Sequence, residues 1–321
     1  MQANIVSVLF EQTQEQNKQQ DDSLSSQLAL ACECSASGKT VLSQRYMSYP
    51  LSVSPVFRLD EDATRAYLYR MNTSPGLLAG DVLKMSVKLG DGSALLLADQ
   101  AATKVHTMPT EGALENRRAA VRYEIEVGDR ATLEFLPEPL ILFTDSVLNQ
   151  TTDIVLHPSA GLTWGEIILP GRLARGERYQ FESYWSRLQI RSYGNTSGLG
   201  DLPKEGLRHR TWFIETMKLL GRNNPFTNHL LFASGSVLGS LILVLPKAQA
   251  TPENLKILSQ KIDQLSSADP VVEIASSVLP GERGLFVRAI AQTTRDLQSS
   301  FKSAANYVRQ LRNQPNLPYS L

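Results

Sequence analysis

The stretch NTSPGLLAGDVLKMSVKLGDGSALLLADQAATKVH, residues 72–106, is the most informative part of the chain. It opens with a Gly/Pro turn that holds one aspartate, Pro75–Asp81, and continues into the alternating segment Val82–Leu89. Alternation of apolar and polar residues is typical of a strand with one buried face. The Gly90–Gly92 turn then leads to the apolar segment Ser93–Ala98, as a hairpin turn does between two strands. These features predict a chain built mainly from short strands.

Short alternating segments bounded by Gly, Pro, Asp or Asn recur from about residue 28 to residue 191. The further predicted strands are Leu28–Cys34, Thr40–Tyr46, Arg65–Met71, Ala94–Ala98, Val121–Val127, Thr132–Leu136 and Thr151–Leu156. No helical period of useful length appears in this part of the chain. The predicted fold class is therefore mainly β. We expect stacked antiparallel sheets that either pack face to face as a sandwich or wind as an irregular β-solenoid.

The last third of the chain changes character, and we expect about two helices there. Thr251 and Pro252 form a helix start, with Thr at the cap and Pro at the first helical position. Near the C terminus, apolar residues recur at intervals of 4, 3, 4 and 3, which predicts a helix with one apolar face. They are Leu297, Phe301, Ala304, Val308 and Leu311. Leu207–Leu220 fits either a strand or a helix.

Length and composition favour one large domain. The chain has 321 residues, of which 42% are hydrophobic, so a substantial core can form. We expect a flexible polar N-terminal tail over residues 1–25 and a single β-rich domain over residues 26–312. Residues 313–321 are expected to form a C-terminal tail, in which Pro315–Leu321 is a candidate contact for a partner protein and becomes ordered only on binding.

The charge balance argues against nucleic acid and membranes as partners. Lys plus Arg and Asp plus Glu both number 32, so the formal net charge is zero. The chain therefore has no net positive charge that would attract a polyanion. The longest apolar run, Leu230–Leu245, is interrupted by Ser and Gly and is too short to cross a bilayer. The N terminus shows no charged start followed by an apolar core, so we expect no signal peptide and a cytoplasmic location.

The two cysteines, Cys32 and Cys34, stand two residues apart in a predicted strand, where side chains point to the same face. A disulfide between such close neighbours would be strained, and the chain has no other cysteine. A reducing compartment is therefore expected. We interpret the pair as small apolar residues on a buried face; a two-ligand site for a soft metal is the alternative.

No complete catalytic or nucleotide-binding motif occurs in the sequence. Ser37–Thr40 is like the end of a phosphate loop, but Glu33 stands where that motif needs Gly. The four histidines are far apart, so a resident metal site would need long-range assembly. A carboxylate pair such as Asp81 with Glu134 or Glu138 would suit an all-β hydrolase. That alternative, and a β-rich binding module without a metal role, stay open.

Four blocks of sequence resemble, in order and spacing, the urease accessory protein family called UreD or UreH. The first two are Pro75–Asp81 and Ala101–His106, and the third is Ala131–Phe143. The fourth consists of Trp164–Glu166, Pro170–Arg172 and Arg175–Glu177. The resemblance covers about residues 44–191, and each block alone is short, but four in order are specific.

The resemblance implies a non-catalytic, chaperone-like factor in metallocentre assembly and nitrogen metabolism. Members of this family bind the urease apoenzyme in a complex with a helical accessory protein and an accessory GTPase. The assembly delivers two nickel ions after carbamylation of the metal-bridging lysine of urease. The UreD-like subunit touches urease and is proposed to contain a tunnel for nickel. No resident cofactor is expected, because nickel is in transit.

A tunnel wall should carry scattered oxygen and imidazole groups that do not close a tight metal site. The candidate nickel contacts are Asp81, Glu134, Glu138, Glu166 and His106. A structural role competes with this one for Asp81, because Asp at a turn that enters a strand often accepts backbone hydrogen bonds. The candidate contacts for the helical partner are Phe301, Val308 and Leu311, positions that also fit a helix packed on the core.

Overall fold

The computed structural model of the protein describes residues 26–59, 63–109, 111, 117–193, 209–222, 236–268 and 272–318. The strands are β1 (Leu28–Cys34), β2 (Thr40–Met47), β3 (Leu51–Val53), β4 (Ala66–Asn72), β5 (Val82–Leu89), β6 (Ala94–Asp99), β7 (Thr103–Val105), β8 (Ala119–Val127), β9 (Thr132–Leu136), β10 (Leu140–Leu142), β11 (Val147–Leu156), β12 (Gly161–Leu169), β13 (Ser183–Tyr193), β14 (His209–Leu220), β15 (Val237–Val244), β16 (Val272–Val278) and β17 (Gly284–Ala291). The helices are α1 (Pro252–Ala268) and α2 (Thr294–Leu311). The prediction of a mainly β fold with two helices in the C-terminal third is confirmed.

The strands form two sheets. Sheet 1 has seven strands in the order β14-β13-β11-β8-β5-β1-β2. Sheet 2 has ten strands, with the main order β16-β17-β15-β12-β9-β6-β4-β3; β10 pairs with β12 and with β7. From β4 to β13 the chain passes back and forth between the two sheets, and each pass adds a strand beside an earlier one. Of the two predicted arrangements, a sandwich and an irregular β-solenoid, this winding is the irregular β-solenoid.

Both sheets are mixed, each with a parallel part, so the prediction of antiparallel sheets is only partly right. In sheet 1, β1, β5, β8, β11 and β13 pair in parallel, and in sheet 2 so do β4, β6, β9 and β12. Antiparallel pairs lie towards the ends, such as β1–β2, β13–β14 and β12–β15. Parallel neighbours need a crossover connection, and here the crossover is a strand of the other sheet.

The turn Gly90–Gly92 shows why the hairpin prediction was wrong. It joins β5 of sheet 1 to β6 of sheet 2, and Gly128–Arg130 likewise joins β8 to β9, so the flanking strands do not pair with each other. The two turns stack instead. The amide of Gly92 donates to the carbonyl of Asp129 at 2.7 Å, and the amide of Asp129 donates to the Asp91 carboxylate at 2.8 Å. These contacts hold successive coils in register.

The described residues form three hydrophobic clusters, two of them large and a third small one around Tyr67 and Leu96. The larger core lies between the sheets and includes Leu95, Ile125 and Leu156, all fully buried. The second core lies on the outer face of sheet 2, where α1 and α2 pack against β15, β16 and β17. The apolar faces of the helices and of the strands cover each other in this second core. Each face needs such a cover, because an apolar face is stable only when another element shields it from water.

Helix α2 packs on sheet 2 through its predicted apolar face. Phe301 and Val308 are 2% and 3% exposed. The Phe301 ring approaches Gly239 of β15 so closely that a Cβ there would lie 2.7 Å from it. The partner-binding prediction for Phe301 and Val308 is therefore wrong, because the helix buries both residues in the core. Leu311, at the helix end, is half-buried.

Local predictions for the last third hold where the chain is described. The side chain of Thr251 accepts a hydrogen bond from the amide of Asn254 at 3.2 Å, which caps α1 at the predicted start. Of the ambiguous segment Leu207–Leu220, the described residues His209–Leu220 form β14, antiparallel to β13. No helix of the described residues is long and apolar enough to cross a membrane.

The described part of the C-terminal tail, residues 313–318, packs against the domain rather than standing apart from it. Leu317 is buried, and its amide donates to the Asn306 side chain at 2.7 Å. The carbonyl of Pro315 accepts a hydrogen bond from Arg309 at 3.0 Å. These contacts attach the described tail residues to α2, while the predicted N-terminal tail and residues 319–321 lie outside the described residues.

Only one cysteine is buried, which corrects the prediction for the pair. Cys32 is 1% exposed between the sheets, and burial raises the pKa of its thiol to about 11. Cys34 is exposed, because the pairing of β1 with β5 ends at Cys32 and Leu89. The two thiols therefore have different surroundings.

Candidate functional site

The first two sequence blocks form one piece of backbone structure. The amide of Leu77 donates to the carbonyl of Lys104 at 2.8 Å, and the amide of His106 donates to the carbonyl of Leu77 at 2.9 Å. Strand β7, which contains Lys104, pairs in parallel with β10 of the third block. Segments that are about 30 residues or more apart in sequence are thus brought to one edge of sheet 2.

The ring of Phe143 joins the second, third and fourth blocks. It meets the His106 ring edge-on at 5.1 Å between centroids. On another side, the Arg172 guanidinium lies over the ring at 4.2 Å from its centroid. Arg172 also pairs with Glu177, and this ion pair raises the pKa of Arg172 and lowers the pKa of Glu177. The resembling blocks therefore touch one another on the folded protein. We call the series of contacts from His106 through Phe143 and Arg172 to Glu177 the contact chain.

Asp81 and His106 hold the turn Pro75–Asp81 in shape. The carboxylate of Asp81 accepts a hydrogen bond from the amide of Leu78 at 2.7 Å. His106 Nε2 lies 3.1 Å from the carbonyl of Pro75. Gly76 has a φ of +145°, and a Cβ on it would lie 2.5 Å from the Lys104 carbonyl. The structure therefore gives Asp81 and His106 structural roles at this turn.

Replacing Asp81 tests that role. Asp81→Ala is expected to lower the free energy of unfolding by about 1 kcal/mol, because the Leu78 amide loses its acceptor. Asp81→Asn keeps an acceptor oxygen and is expected to stay close to the wild type. Urea unfolding of the three proteins measures the difference. Equal losses in both variants would show that the carboxylate charge matters, and not the hydrogen bond.

Glu134 lies in a buried cluster of ion pairs. Its Oε2 accepts from Nη1 of Arg65 at 2.9 Å, and its two oxygens accept from Nε and Nη2 of Arg309 at 2.8 and 2.5 Å. Burial by itself raises the pKa of Glu134, but the two arginines lower it more, so the net pKa is lowered. Both oxygens are engaged. We therefore assign Glu134 a structural role, tying α2 to sheet 2, in place of the predicted nickel contact.

A cavity of about 60 Å³, with a mixed polar and apolar wall, lies between the two sheets. Strands of both sheets form its wall, and a volume of this size accommodates a few water molecules. Two of the predicted contacts, Glu138 and Glu166, line it. The aromatic part of the wall is a cluster in which Trp164 packs 4.6 Å from Phe135 and 5.4 Å from Tyr123, measured between ring centroids. The cavity thus brings Glu138 and Glu166 together, whereas Asp81 and His106 meet at the Pro75–Asp81 turn.

A buried network that sequence reasoning missed forms another part of the wall. Arg70 donates to both oxygens of Asp99, at 2.6 and 2.8 Å, and to the hydroxyl of Tyr123 at 2.9 Å. The parallel register of β4 and β6 places Arg70 directly beside Asp99. The available signal was Asp99 itself, an acid at the end of an apolar strand that needs a cation partner when buried. The partner becomes visible only with the strand pairing.

The carboxyl group of Glu166 bridges the sheets. It lies on β12 of sheet 2, and its Oε1 accepts hydrogen bonds from the Tyr184 hydroxyl at 2.6 Å and from the Gln150 amide, both in sheet 1. Loss of hydration raises the pKa of Glu166 to about 7, although the bond from Tyr184 works against this rise. Near neutral pH the group therefore exists in both charged and neutral forms.

The cavity wall suits passing contact with a cation better than permanent binding. In the part of the chain that the structure describes, no group of three or more His, Cys, Asp or Glu side chains lies close enough to hold a metal. Asp99 is already paired with Arg70, which leaves Glu138 and Glu166 as the carboxyls of the wall. Both hydrogen bonds that the described residues make to Glu166 end on Oε1, so Oε2 accepts none from them.

Comparison with known proteins gives one consistent result. A family model described as UreD urease accessory protein matches residues 25–320. Urease accessory protein UreD of Trichodesmium erythraeum (strain IMS101) is 43% identical over 294 residues, which cover 91% of this chain and 97% of that protein. Proteins of the same name from Actinobacillus pleuropneumoniae serotype 5b (strain L20) and Haemophilus influenzae (strain PittEE) are 31% and 30% identical, over 89% of this chain in each case and 98% and 99% of those proteins.

Proposed function

The chain belongs to the UreD family of urease accessory proteins, and on that premise we propose that it is a non-catalytic scaffold that guides nickel to urease. The observation that carries the proposal is the family match over residues 25–320, nearly the whole chain. A role in urease maturation follows from the family itself. The finer parts of the proposal, namely nickel, partners and route, rest on the chemistry of the site.

The proposed partners are the urease apoenzyme, a helical accessory protein and an accessory GTPase, in the cytoplasm. Nickel is the cargo of this assembly and not a resident cofactor. A formal net charge of zero is consistent with a protein that works in a protein complex and not on nucleic acid. The exposed surface of the contact chain formed by the four blocks is a natural place for such partners, because loops on a rigid scaffold commonly carry binding functions.

We propose that the cavity between the sheets is part of the nickel route. A divalent ion moving through protein keeps several waters and needs oxygen ligands that hold it weakly. Glu166 and Glu138 supply such oxygens, and the volume of about 60 Å³ leaves room for a partly hydrated ion. Asp81, Glu134 and His106 do not line the cavity; their hydrogen bonds and ion pairs hold the Pro75–Asp81 turn and α2 in place.

The hydrolase alternative has less support. It needs two carboxyls at one site, and the pairs considered from the sequence combined Asp81 with Glu134 or Glu138. Asp81 closes an exposed turn, and Glu134 is neutralised by Arg65 and Arg309. A binding module without a metal role is distinguished by the nickel measurement below.

The test is urease activation in cells that carry the complete urease gene set and lack only this gene. Restoring the wild type is expected to return nickel to urease, whereas deletion leaves full-length urease without nickel. Glu166→Gln is expected to lower bound nickel several-fold, because it removes the carboxylate while keeping the hydrogen-bond acceptor. Glu126→Gln, an exposed carboxylate of sheet 1, is the matched control and should restore full loading.

Each outcome separates one part of the proposal. Urease fully loaded without this gene would contradict the maturation role. Full loading by Glu166→Gln, with the wild type required, would keep the maturation role and remove Glu166 from the route. Bound nickel and the amount of urease must both be measured, since lower urease abundance would imitate poor loading.

A further inference from the structure

An open groove of about 570 Å³ lies beside the short turn Leu173–Arg175, next to the start of α2. It adjoins the contact chain formed by the four blocks, since Phe143 and Arg172 line both. The proposed nickel cavity is lined by other residues, so the groove is a separate feature.

The floor of the groove is apolar, and the register of short parallel strands explains why. Lys104 of β7 stands beside Ile141 of β10, and Ile141 stands beside Leu169 of β12. Neighbours in register share one face of a sheet, so these three residues form a row across it. Ile141 and Leu169 are half-buried, as are Phe143 and Leu173 at the margins, so part of their apolar surface stays in water.

The charged side chains that line the groove are both basic, and the two carboxylates beside it are engaged, Glu177 with Arg172 and Asp296 with Thr293. Among the described residues that line the groove, Arg172 and Arg175 are charged and no Asp or Glu is present. Arg172 is paired with Glu177, but Arg175 is exposed. Lys104 is also exposed at the end of the apolar row. An apolar floor beside uncompensated cations attracts a ligand that is apolar and acidic together.

We propose that this groove is the docking site for an acidic amphipathic segment of a partner protein in the urease maturation assembly. The inference rests on the proposed function for the identity of the assembly. Apolar side chains of the segment would cover Ile141 and Leu169, and its carboxylates would face Lys104 and Arg175. Laying the apolar face of a helix or strand into such a groove is a common mode of peptide recognition. The volume of about 570 Å³ accommodates several side chains and suits a segment better than a single ion.

Photo-cross-linking identifies the occupant. The tagged chain is co-expressed with urease and its accessory proteins, with p-benzoylphenylalanine at Ala174, an exposed residue of the groove. The same amino acid at Tyr46, exposed on the edge strand β2, is the matched control. We expect Ala174 to cross-link to a partner segment in which apolar residues alternate with several Asp or Glu. Attachment to a second copy of the chain, to its own N-terminal residues or to a segment without acidic residues would overturn the proposal.

Charge reversal tests the electrostatic part. The partner that the cross-link identifies is then tested for binding without cross-linking. The double variant Lys104→Glu, Arg175→Glu is expected to retain about tenfold less of this partner at low salt, with a smaller difference at high salt. Arg45→Glu, an exposed cation on β2, is the control and should keep full retention. Equal retention by the double variant would overturn the proposal. A thermal melt checks that the double variant folds, which is expected because both side chains are exposed.

Nickel loading of urease, measured on the same cells, separates this inference from the proposed function. Loading that depends on this gene, together with a groove that cross-links to nothing acidic, overturns the docking site alone. Loading that does not depend on this gene overturns the proposed function and the docking site with it.

Discussion

Glu134→Gln is expected to lower the free energy of unfolding by about 3–5 kcal/mol, the usual cost of removing one partner from a buried ion pair. The variant leaves Arg65 and Arg309 charged without their carboxylate, and these side chains are only 4% and 0% exposed. Water cannot replace the lost partner there. Because Arg309 lies in α2 and Glu134 in β9, the loss also loosens the helix from sheet 2.

Urea unfolding at neutral pH measures this effect, and amide exchange along α2 locates it. Glu126→Gln is the matched control, because Glu126 and its partner Lys88 are 49% and 70% exposed, and an exposed pair contributes less than about 1 kcal/mol. A loss for Glu134→Gln no larger than that of the control would contradict the buried cluster. The pH dependence has a definite sign. The pKa of Glu134 is lowered in the folded protein, so its contribution is present above the unfolded pKa and is lost as pH falls.

Glu166→Gln is expected to stabilise the protein at pH 8 by about 1–3 kcal/mol and to change little at pH 4.5. Loss of hydration raises the pKa of Glu166 from 4.5 to about 7. Between pH 4.5 and about 7, the folded state keeps a proton on Glu166 that the unfolded state has released. The free energy of unfolding of the wild type therefore falls as pH rises. Glutamine has no proton to lose and still accepts the hydrogen bonds from Tyr184 and Gln150.

The measurement is the free energy of unfolding of both proteins at pH 4.5, 6 and 8, with Glu126→Gln as the control. A difference that does not change with pH would show that Glu166 is not titrating in this range. Combined with the nickel assay, the result has a wider meaning. A variant that is more stable and loads less nickel would show that the carboxyl is retained for function at a cost in stability, as is common at functional sites.

Local sequence pattern was sufficient for much of the fold. Alternation predicted β1, β5 and β9 with the bounds they have, and the Thr251-Pro252 pair marked the start of α1. The period of Phe301 and Val308 predicted α2 and its buried face. These features depend on residues close together in sequence, where side-chain direction follows directly from strand or helix geometry.

Strand direction needed the tertiary structure. A strand with one buried face alternates in the same way whether its neighbour runs parallel or antiparallel. The Gly90–Gly92 turn has the composition of a hairpin, yet it carries the chain from one sheet to the other. Only the pairing of complete strands distinguishes a coil of parallel strands from a set of hairpins.

The sequence by itself determined the family, the mainly β fold and a short set of carboxylates for the site. Tertiary structure alone decided what each carboxylate does. Glu134 meets Arg309 from 175 positions away, and Arg70 meets Asp99 only through the register of β4 and β6. The behaviour of a carboxylate depends on burial and on the charges around it. Those surroundings come from distant parts of the chain, which is why the sequence could name Glu134 and Glu166 together but could not separate a structural ion pair from a cavity wall.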